Sequence, residues 1–318
     1  MENTKSNNNN TTEKIQFMNE GNLKNFKAIK EQQLKFTSDP EEQKQLQKNI
    51  DNIQKGIDGE NEVAYQLKKS HIPMYVLRNV RLMEGDKPVE IDFVVFTRKL
   101  IFVIECKNFA GGISVDEMGT FINKRKKEFG MENPLTQNLQ HVILLKETLL
   151  EEEKNPIKKR LLEKELEKRF VSYVVFANKE NILKVEGKNI ETEKNIMRYD
   201  MLIRKMGEAI KESRALPMPE KKMMAMSEFL LNETKECRSR YRQKDMKMLL
   251  KAYRNYQKDI KGFSDTKYIF SDHAIEQIIQ NMPENEEQIR ALNGFGDTNT
   301  PQYAEGILEI VGLFRNME

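Results

Sequence analysis

Cysteine and histidine are scarce in this chain. The two cysteines, Cys106 and Cys237, stand far apart, which excludes a framework of bridges or a cysteine-based metal spacing. The three histidines, His71, His141 and His273, are isolated from one another, which argues against a structural zinc site. No run approaches the roughly 18 apolar residues that a membrane span requires. The first fourteen residues contain no apolar stretch and do not read as a secretory signal, so a cytoplasmic protein without a membrane partner is expected. A Gly-x-x-x-x-Gly-Lys-Ser/Thr loop is also missing, which tells against a helicase or NTPase built on that phosphate loop.

Charge is abundant instead. Of 318 residues, 32% are charged and only 38% hydrophobic, and the mean hydropathy is -0.71. This suits a helix-rich chain with modest cores, long enough for two domains of about 150 residues each. The net charge of +3 hides a sharp polarity. Residues 235–267 hold eleven Lys/Arg against four Asp/Glu, a balance of +7, whereas residues 268–318 hold two against nine, a balance of -7. The basic stretch could attract a polyanion. A solvated helix face is the plainer alternative.

Periodicity divides the chain. Residues 1–14 are rich in Asn, Thr and Lys, and a disordered tail is expected. Residues 15–55 form a polar, amphipathic helical extension broken at Ser38-Asp39-Pro40. A helix follows at residues 59–69, with Val63 and Leu67 on one face. Three runs rich in β-branched and aromatic residues come next, at 74–77, 91–96 and 100–105, and read as strands. A second helix starts near Pro134 and runs into the charged residues 151–168 as a long exposed helix; residues 170–177 make a fourth, interior strand. The order helix, three-stranded meander, helix, strand predicts an α/β layer over residues 56–205. A helical linker is expected at 206–240 and a small all-α domain at 241–318.

The most informative segment runs from Ile91 to Asn108. If Arg98-Lys99 closes a tight hairpin, opposed residues sum to 197, and Asp92 faces Glu105 while Lys107 shares the face of Glu105. Like charges directly opposed are destabilising, and apolar neighbours raise the penalty on an ionised carboxylate. A cation relieves both. Lys107 supplies one positive charge, and Mg²⁺ or Mn²⁺, which take oxygen ligands, would supply more. Arg98-Lys99 lacks the Gly or Asn usual in such turns. Glu-x-Lys also recurs at Glu186-Gly187-Lys188, without a preceding hairpin, so the spelling alone carries little.

These residues carry a family resemblance. Gly56-Ile57-Asp58-Gly59-Glu60, Glu90-Ile91-Asp92, Ile104-Glu105-Cys106-Lys107-Asn108 and Asn133-Pro134-Leu135-Thr136-Gln137 resemble, in order, the motifs of the NERD (nuclease-related) domain. That family belongs to the PD-(D/E)xK nucleases, so the resemblance implies a restriction-endonuclease-like core. It further implies that Asp92, Glu105 and the Cys106 carbonyl ligate a metal, with Glu60 completing the acidic site. Lys107 would orient the attacking water or stabilise charge on the phosphate. Gln137 is a second candidate, four residues from His141, which stands where some relatives carry Tyr. Gly56 and Gly59 are read as permitting a turn before the first helix.

The C-terminal segment resembles an HRDC domain through Leu250-Lys251-Ala252-Tyr253-Arg254, Ile275-Glu276-Gln277-Ile278-Ile279, Leu292-Asn293-Gly294-Phe295-Gly296 and Tyr303-Ala304-Glu305-Gly306. Ala304 departs from the usual Gly. Such domains bind nucleic acid or protein. Candidate phosphate contacts are Arg238, Arg240, Arg242, Lys244, Lys247, Lys251 and Arg254, with Tyr241, Tyr253 and Tyr256 interleaved for stacking or for helix packing. The reading at this level is a Mg²⁺- or Mn²⁺-dependent nuclease acting on nucleic acid, DNA by preference. Its rivals are a non-catalytic nucleic-acid-binding protein and a scaffold that meets protein partners or its own copies through charged helices.

Overall fold

The computed structural model describes residues 15–116, 119–124, 128–180, 182–185 and 194–315. The expected disordered tail at 1–14 lies outside the described residues, as does the second Glu-x-Lys at 186–188.

A six-stranded mixed sheet forms the platform. Its strands are β1 (Ile15–Phe17), β2 (Met74–Glu84), β3 (Lys87–Phe96), β4 (Ile101–Lys107), β8 (Phe170–Phe176) and β10 (Ile196–Arg198), side by side in that order. β2, β3 and β4 are the expected antiparallel meander, and β4 pairs in parallel with β8. Apolar residues on both faces explain the central position of β3 and β4: Val94, Val103 and Ile101 pack in one layer, Phe93, Val95 and Phe102 in the other. Each such side chain stabilises the fold by about 1.5–3 kcal/mol, which makes these strands a rigid base for whatever stands at their ends.

The β3–β4 hairpin closes at Arg98-Lys99 without Gly or Asn because neither residue takes a positive φ, and Thr97 adds side-chain bonds across the turn. Its hydroxyl donates to the Leu100 carbonyl (2.8 Å) and accepts from the Leu100 N–H (3.0 Å). Arg169 donates to the Lys99 carbonyl at 2.9 Å, which ties the turn to the start of β8. β2 and β3 are joined by Gly85-Asp86, with Gly85 at φ 58°, where a glycine carries no steric cost.

Helices cover both faces. α1 (Leu23–Lys35) and α2 (Pro40–Lys68) meet at the expected break, where the Asp39 side chain accepts the Glu41 N–H and Pro40 sits in the first turn. α3 (Pro134–Glu151) starts on Asn133, which accepts the N–H groups of Leu135 and Thr136. Past them lies a second sheet, order β7 (Glu128–Met131), β6 (Phe121–Lys124), β5 (Gly112–Val115), β9 (Leu183–Val185).

Several expectations are corrected. Residues 15–17 are a strand parallel to β2, not helix; their three-residue length leaves no period to read. The helix expected from 59 is the second half of α2, which passes through Gly56 and Gly59, so the boundary at 55/56 is not an end of structure. The long exposed helix at 151–168 is interrupted, and α4 (Pro156–Leu166) begins afresh on an Asn155 cap, because Pro156 cannot continue the preceding helix. Residues 206–240 are not a linker. α5 (Leu202–Glu212) packs Leu202 and Met206 under the sheet, and α6 (Glu220–Ile260) lays Met223, Met226 and Leu230 on the opposite face.

α6 continues across residue 241 into the helical region, completed by α7 (Asp272–Asn281), α8 (Glu286–Arg290) and α9 (Gly296–Arg315). Its core gathers Leu249, Leu250, Ile275, Ile278, Ile307 and Ile310. Ile29 of α1 joins that core and Phe36 stacks on Tyr253 at 5.0 Å, so the N-terminal helix belongs with the C-terminal ones. The chain is a mixed α/β core with a helical C-terminal region.

Candidate active site

The sheet is deliberately irregular beside β4. Asn79 adopts φ 47°, and the β2–β3 ladder skips from Arg78↔Phe93 to Val80↔Ile91. Side-chain alternation restarts there: Leu77 and Val80 face the same layer, as do Ile91 and Val94. The kink sends the Asn79 amide toward α2, where its Nδ2 donates to both oxygens of Glu60, at 3.0 and 3.1 Å. Arg78 Nη2 reaches Glu60 Oε2 at 3.4 Å.

Asp92 stands across from the end of β4. The β3–β4 ladder keeps the expected register, Phe93↔Ile104 through Phe96↔Ile101, and gives way at Asp92. There the Asp92 Oδ2 accepts the Cys106 N–H at 2.7 Å, in place of main-chain pairing. Glu105 and Lys107 share a face as the alternation requires, with Lys107 Nζ donating to Glu105 Oε1 at 2.5 Å. Lys107 also donates to Gln137 Oε1 at 3.0 Å, which joins α3 to the group. His141 Nδ1 lies 3.5 Å from Glu105 Oε2. Burial pushes the His141 pKa down, which favours the neutral ring.

Glu60, Glu90, Asp92 and Glu105 line one cleft of about 340 Å³. Its wall is the α2 backbone, brought close by Gly59: a Cβ there would stand 2.7 Å from the Asn108 Cβ and 3.2 Å from the Cys106 Sγ. Gly59 thus serves a close helix–strand approach and not a turn, and a Cβ at Gly56 would make only ordinary contact with Leu23. Asn108 Nδ2 donates to the Lys55 carbonyl at 2.7 Å and locks that approach.

The electrostatics follow from crowding acids out of water. Burial lifts the Glu60 carboxyl to about 7, against the pull of Asn79 and Arg78. Asp92 is pushed well above the usual carboxylate range, first by burial and then by the charges of Glu105 and Glu60. Burial raises Glu90 despite its ion pair with Arg81. Cys106 sits among the same carboxylates; burial and the Asp92 charge hold its thiol protonated, so it is no nucleophile. The oxygen-only donors and their mutual repulsion fit a hard divalent cation. Asp92, Glu105, Glu60 and the Cys106 carbonyl are the groups that would hold one. Among the described residues, however, no three His, Cys, Asp or Glu side chains close on a common point in metal-holding geometry.

Glu60, Asp92, Glu105, Lys107 and Gln137 therefore meet at one end of the sheet. The basic residues of α6 do not form one free face. Arg254 is buried and donates to the Phe270 carbonyl and to Asp272. Arg238 turns inward to the Asn79 carbonyl at 3.0 Å. Lys247 pairs with Glu276, Lys251 lies 3.7 Å from Asp272, and Lys244 stands over the Tyr241 ring. Arg240 is exposed. Tyr253 packs in the helical core.

Three residues escaped the sequence reading. Asn79 and Arg78 anchor Glu60 from another segment, and only the polar Arg78-Asn79 inside an apolar run could have signalled it. Asn138 is fully buried, and its Nδ2 donates to the Val103 and Tyr173 carbonyls at 2.9 and 3.0 Å, fixing α3 against β4 and β8. Its signal, a polar residue at a core-facing helix position beside Gln137, was available.

Family models match two parts of the chain, the nuclease-related domain NERD at residues 55–177 and the HRDC domain at 258–311, both shorter than the spans expected from sequence. Curated proteins and solved structures give no match. The chain thus carries a nuclease-related (NERD) domain followed by an HRDC domain.

Proposed function

We propose that the chain is a Mg²⁺- or Mn²⁺-dependent nuclease that hydrolyses phosphodiester bonds, DNA by preference, on a restriction-endonuclease-like core. The observation that carries this reading is the convergence of Asp92, Glu105 and Glu60 on one cleft with Lys107 beside them. A bound divalent ion would acidify water and relieve phosphate charge. Asp92, Glu105, Glu60 and the Cys106 carbonyl would hold it. Lys107, kept in place by Gln137, stabilises charge developing on the scissile phosphate and orients the attacking water. The α2 wall and the apolar layers behind β4 exclude bulk solvent. The HRDC domain adds nucleic-acid contact from outside the cleft, joined by the exposed Arg240 on α6 ahead of it.

The test is cleavage of linear, circular and single-stranded DNA by the full chain with Mg²⁺ or Mn²⁺, beside Asp92→Ala and Lys107→Ala. The reading expects metal-dependent cleavage by the wild type and none by either variant. Equal cleavage by Asp92→Ala refutes the site. A second reading, a nucleic-acid-binding protein without catalysis, draws on Asp92 being engaged by the Cys106 N–H and Glu105 by Lys107. Salt-dependent gel shifts with no cleavage in any metal would establish it.

A further inference from the structure

Three parts of the molecule meet at Asn79. The residue is 1% exposed, and both polar atoms of its side chain are engaged. Its Nδ2 spans the two oxygens of Glu60 in the acidic cleft, and its Oδ1 accepts the Asn22 N–H at 3.0 Å. The Asn79 carbonyl accepts Arg238 Nη2, also at 3.0 Å. Between these contacts the backbone is held at φ 47°, a left-handed conformation that persists only where the surroundings over-determine it.

The two groups that hold it stand outside the nuclease-related domain at residues 55–177. Arg238 lies on α6, whose later residues Leu249 and Leu250 sit in the core of the C-terminal helical region. Asn22 immediately precedes α1, which the same region grips through Ile29, the Phe36–Tyr253 ring contact and the Lys35–Glu309 ion pair. The chain ahead of α1 follows β2 closely. Asn19 exchanges hydrogen bonds with the main chain of Arg78, both at 2.7 Å. Gly21, at φ 81°, comes so near that a Cβ there would stand 2.4 Å from Asn79 Oδ1. A carboxylate that ligates an ion is aimed by the groups behind it. Asn79 aims Glu60, and the helices aim Asn79.

We infer that Asn79 is the positioning residue of Glu60, and that Arg238 and the Gly21-Asn22 segment hold Asn79 in place. Cation binding in the cleft of the nuclease-related domain is therefore governed by helices that the C-terminal region anchors. The cation half of this inference rests on the metal-dependent reading above, whereas the placement of Asn79 does not. A purely electrostatic role for Arg238 predicts the opposite sign. Removing a positive charge near Glu90, which lines the cleft, would by itself strengthen cation binding. Losing the hold on Asn79 weakens it.

Calorimetric titration of Mn²⁺ into the full chain, Asn79→Gly, Arg238→Ala and the double variant tests it. Glycine keeps the left-handed backbone at position 79 and removes only the side-chain amide. Asn79→Gly should weaken Mn²⁺ binding by ~10-fold or more, the usual size for a group that orients a ligand. Arg238→Ala should weaken it severalfold. The double variant should bind as Asn79→Gly does, since both changes act along one path. Hydrogen exchange of the metal-free chains reads the same link without an ion. Arg238→Ala should speed exchange at residues 19–25, where the Asn22 N–H donates to Asn79, and leave β4 at its wild-type rate. In the Asn79→Gly chain it should add nothing. Should Arg238→Ala melt early, Gly21→Ala takes its place, displacing the Asn79 amide from the α1 side with the same expected losses. Mn²⁺ affinity raised or unmoved by Arg238→Ala overturns the inference, as do additive losses in the double variant. No Mn²⁺ binding by the wild type defeats the metal-dependent reading instead, and exchange then decides. Faster exchange at residues 19–25 in Arg238→Ala upholds the placement of Asn79, and unchanged exchange overturns it.

Discussion

The acids of the candidate site behave oppositely to the exposed acids of the helical region. In the helical region Asp272 is held below the usual carboxylate range by Arg254, Asp265 by the Lys267 N–H, and Glu309 by Lys35. In the α/β core Glu60, Glu90 and Asp92 are all pushed up, by burial before anything else. Acids of the first kind serve the fold, since their charged forms are what the folded chain favours. Those of the second kind oppose it at neutral pH, and a fold that keeps them packs them for another purpose. The core even shapes itself to do so, with Asn79 in a left-handed conformation and Gly59 in mid-helix.

This contrast can be broken in several places. The largest effect is expected at Lys107, where replacement by Ala should lower the cleavage rate by ~100-fold or more and, by leaving the buried Glu105 without its ion-pair partner, lower the melting temperature as well. Next is Glu60. The folded chain keeps its proton up to about 7 whereas the unfolded reference releases it near 4.5, so stability is full below pH 4.5 and falls as pH rises through 7. Glu60→Gln should flatten that slope in urea melts and raise stability at alkaline pH by on the order of 3 kcal/mol. An unchanged slope would remove Glu60 from the strained set.

Glycines sharpen the comparison at smaller magnitude. A Cβ at Gly306 would stand 2.4 Å from the Tyr253 ring, whereas nothing lies within 4 Å of one at Gly312 in the same helix. Gly306→Ala should cost about 1–3 kcal/mol, and Gly312→Ala should add up to about 1 kcal/mol. The smallest effect belongs to Asp272→Asn. This largely exposed acid should contribute less than about 1 kcal/mol, present above pH 4 and lost as pH falls below the unfolded value of 3.8.

The hairpin that carries the site was readable because strand alternation and a two-residue turn leave one register, and Phe93↔Ile104 obeys it. What the register could not show was how Asp92 ends the ladder by capturing the Cys106 N–H. The partners of Glu60, Arg78 and Asn79, come from β2 and not from its own helix, so no local pattern links Asn79 to α2. Glycines misled in one respect: Gly56 and Gly59 looked like a helix start and lie inside a 29-residue helix, where the close approach of Asn108 and Cys106 at Gly59 outweighs helix propensity. The second sheet, with strands of three or four residues, is too short to show a period. The basic character of α6 was visible, but not that Arg238 and Arg254 face inward, which depends on carbonyls of Asn79 and Phe270 far away in sequence.

The central claim is that Glu60, Asp92 and Glu105 tolerate one another because they share a divalent cation. Calorimetric titration of Mn²⁺ into the full chain and into Asp92→Asn addresses it directly. One ion bound per wild-type chain, and none by the variant at the same concentration, is the outcome the account predicts. Equal Mn²⁺ binding by both proteins, or none by either, would contradict it.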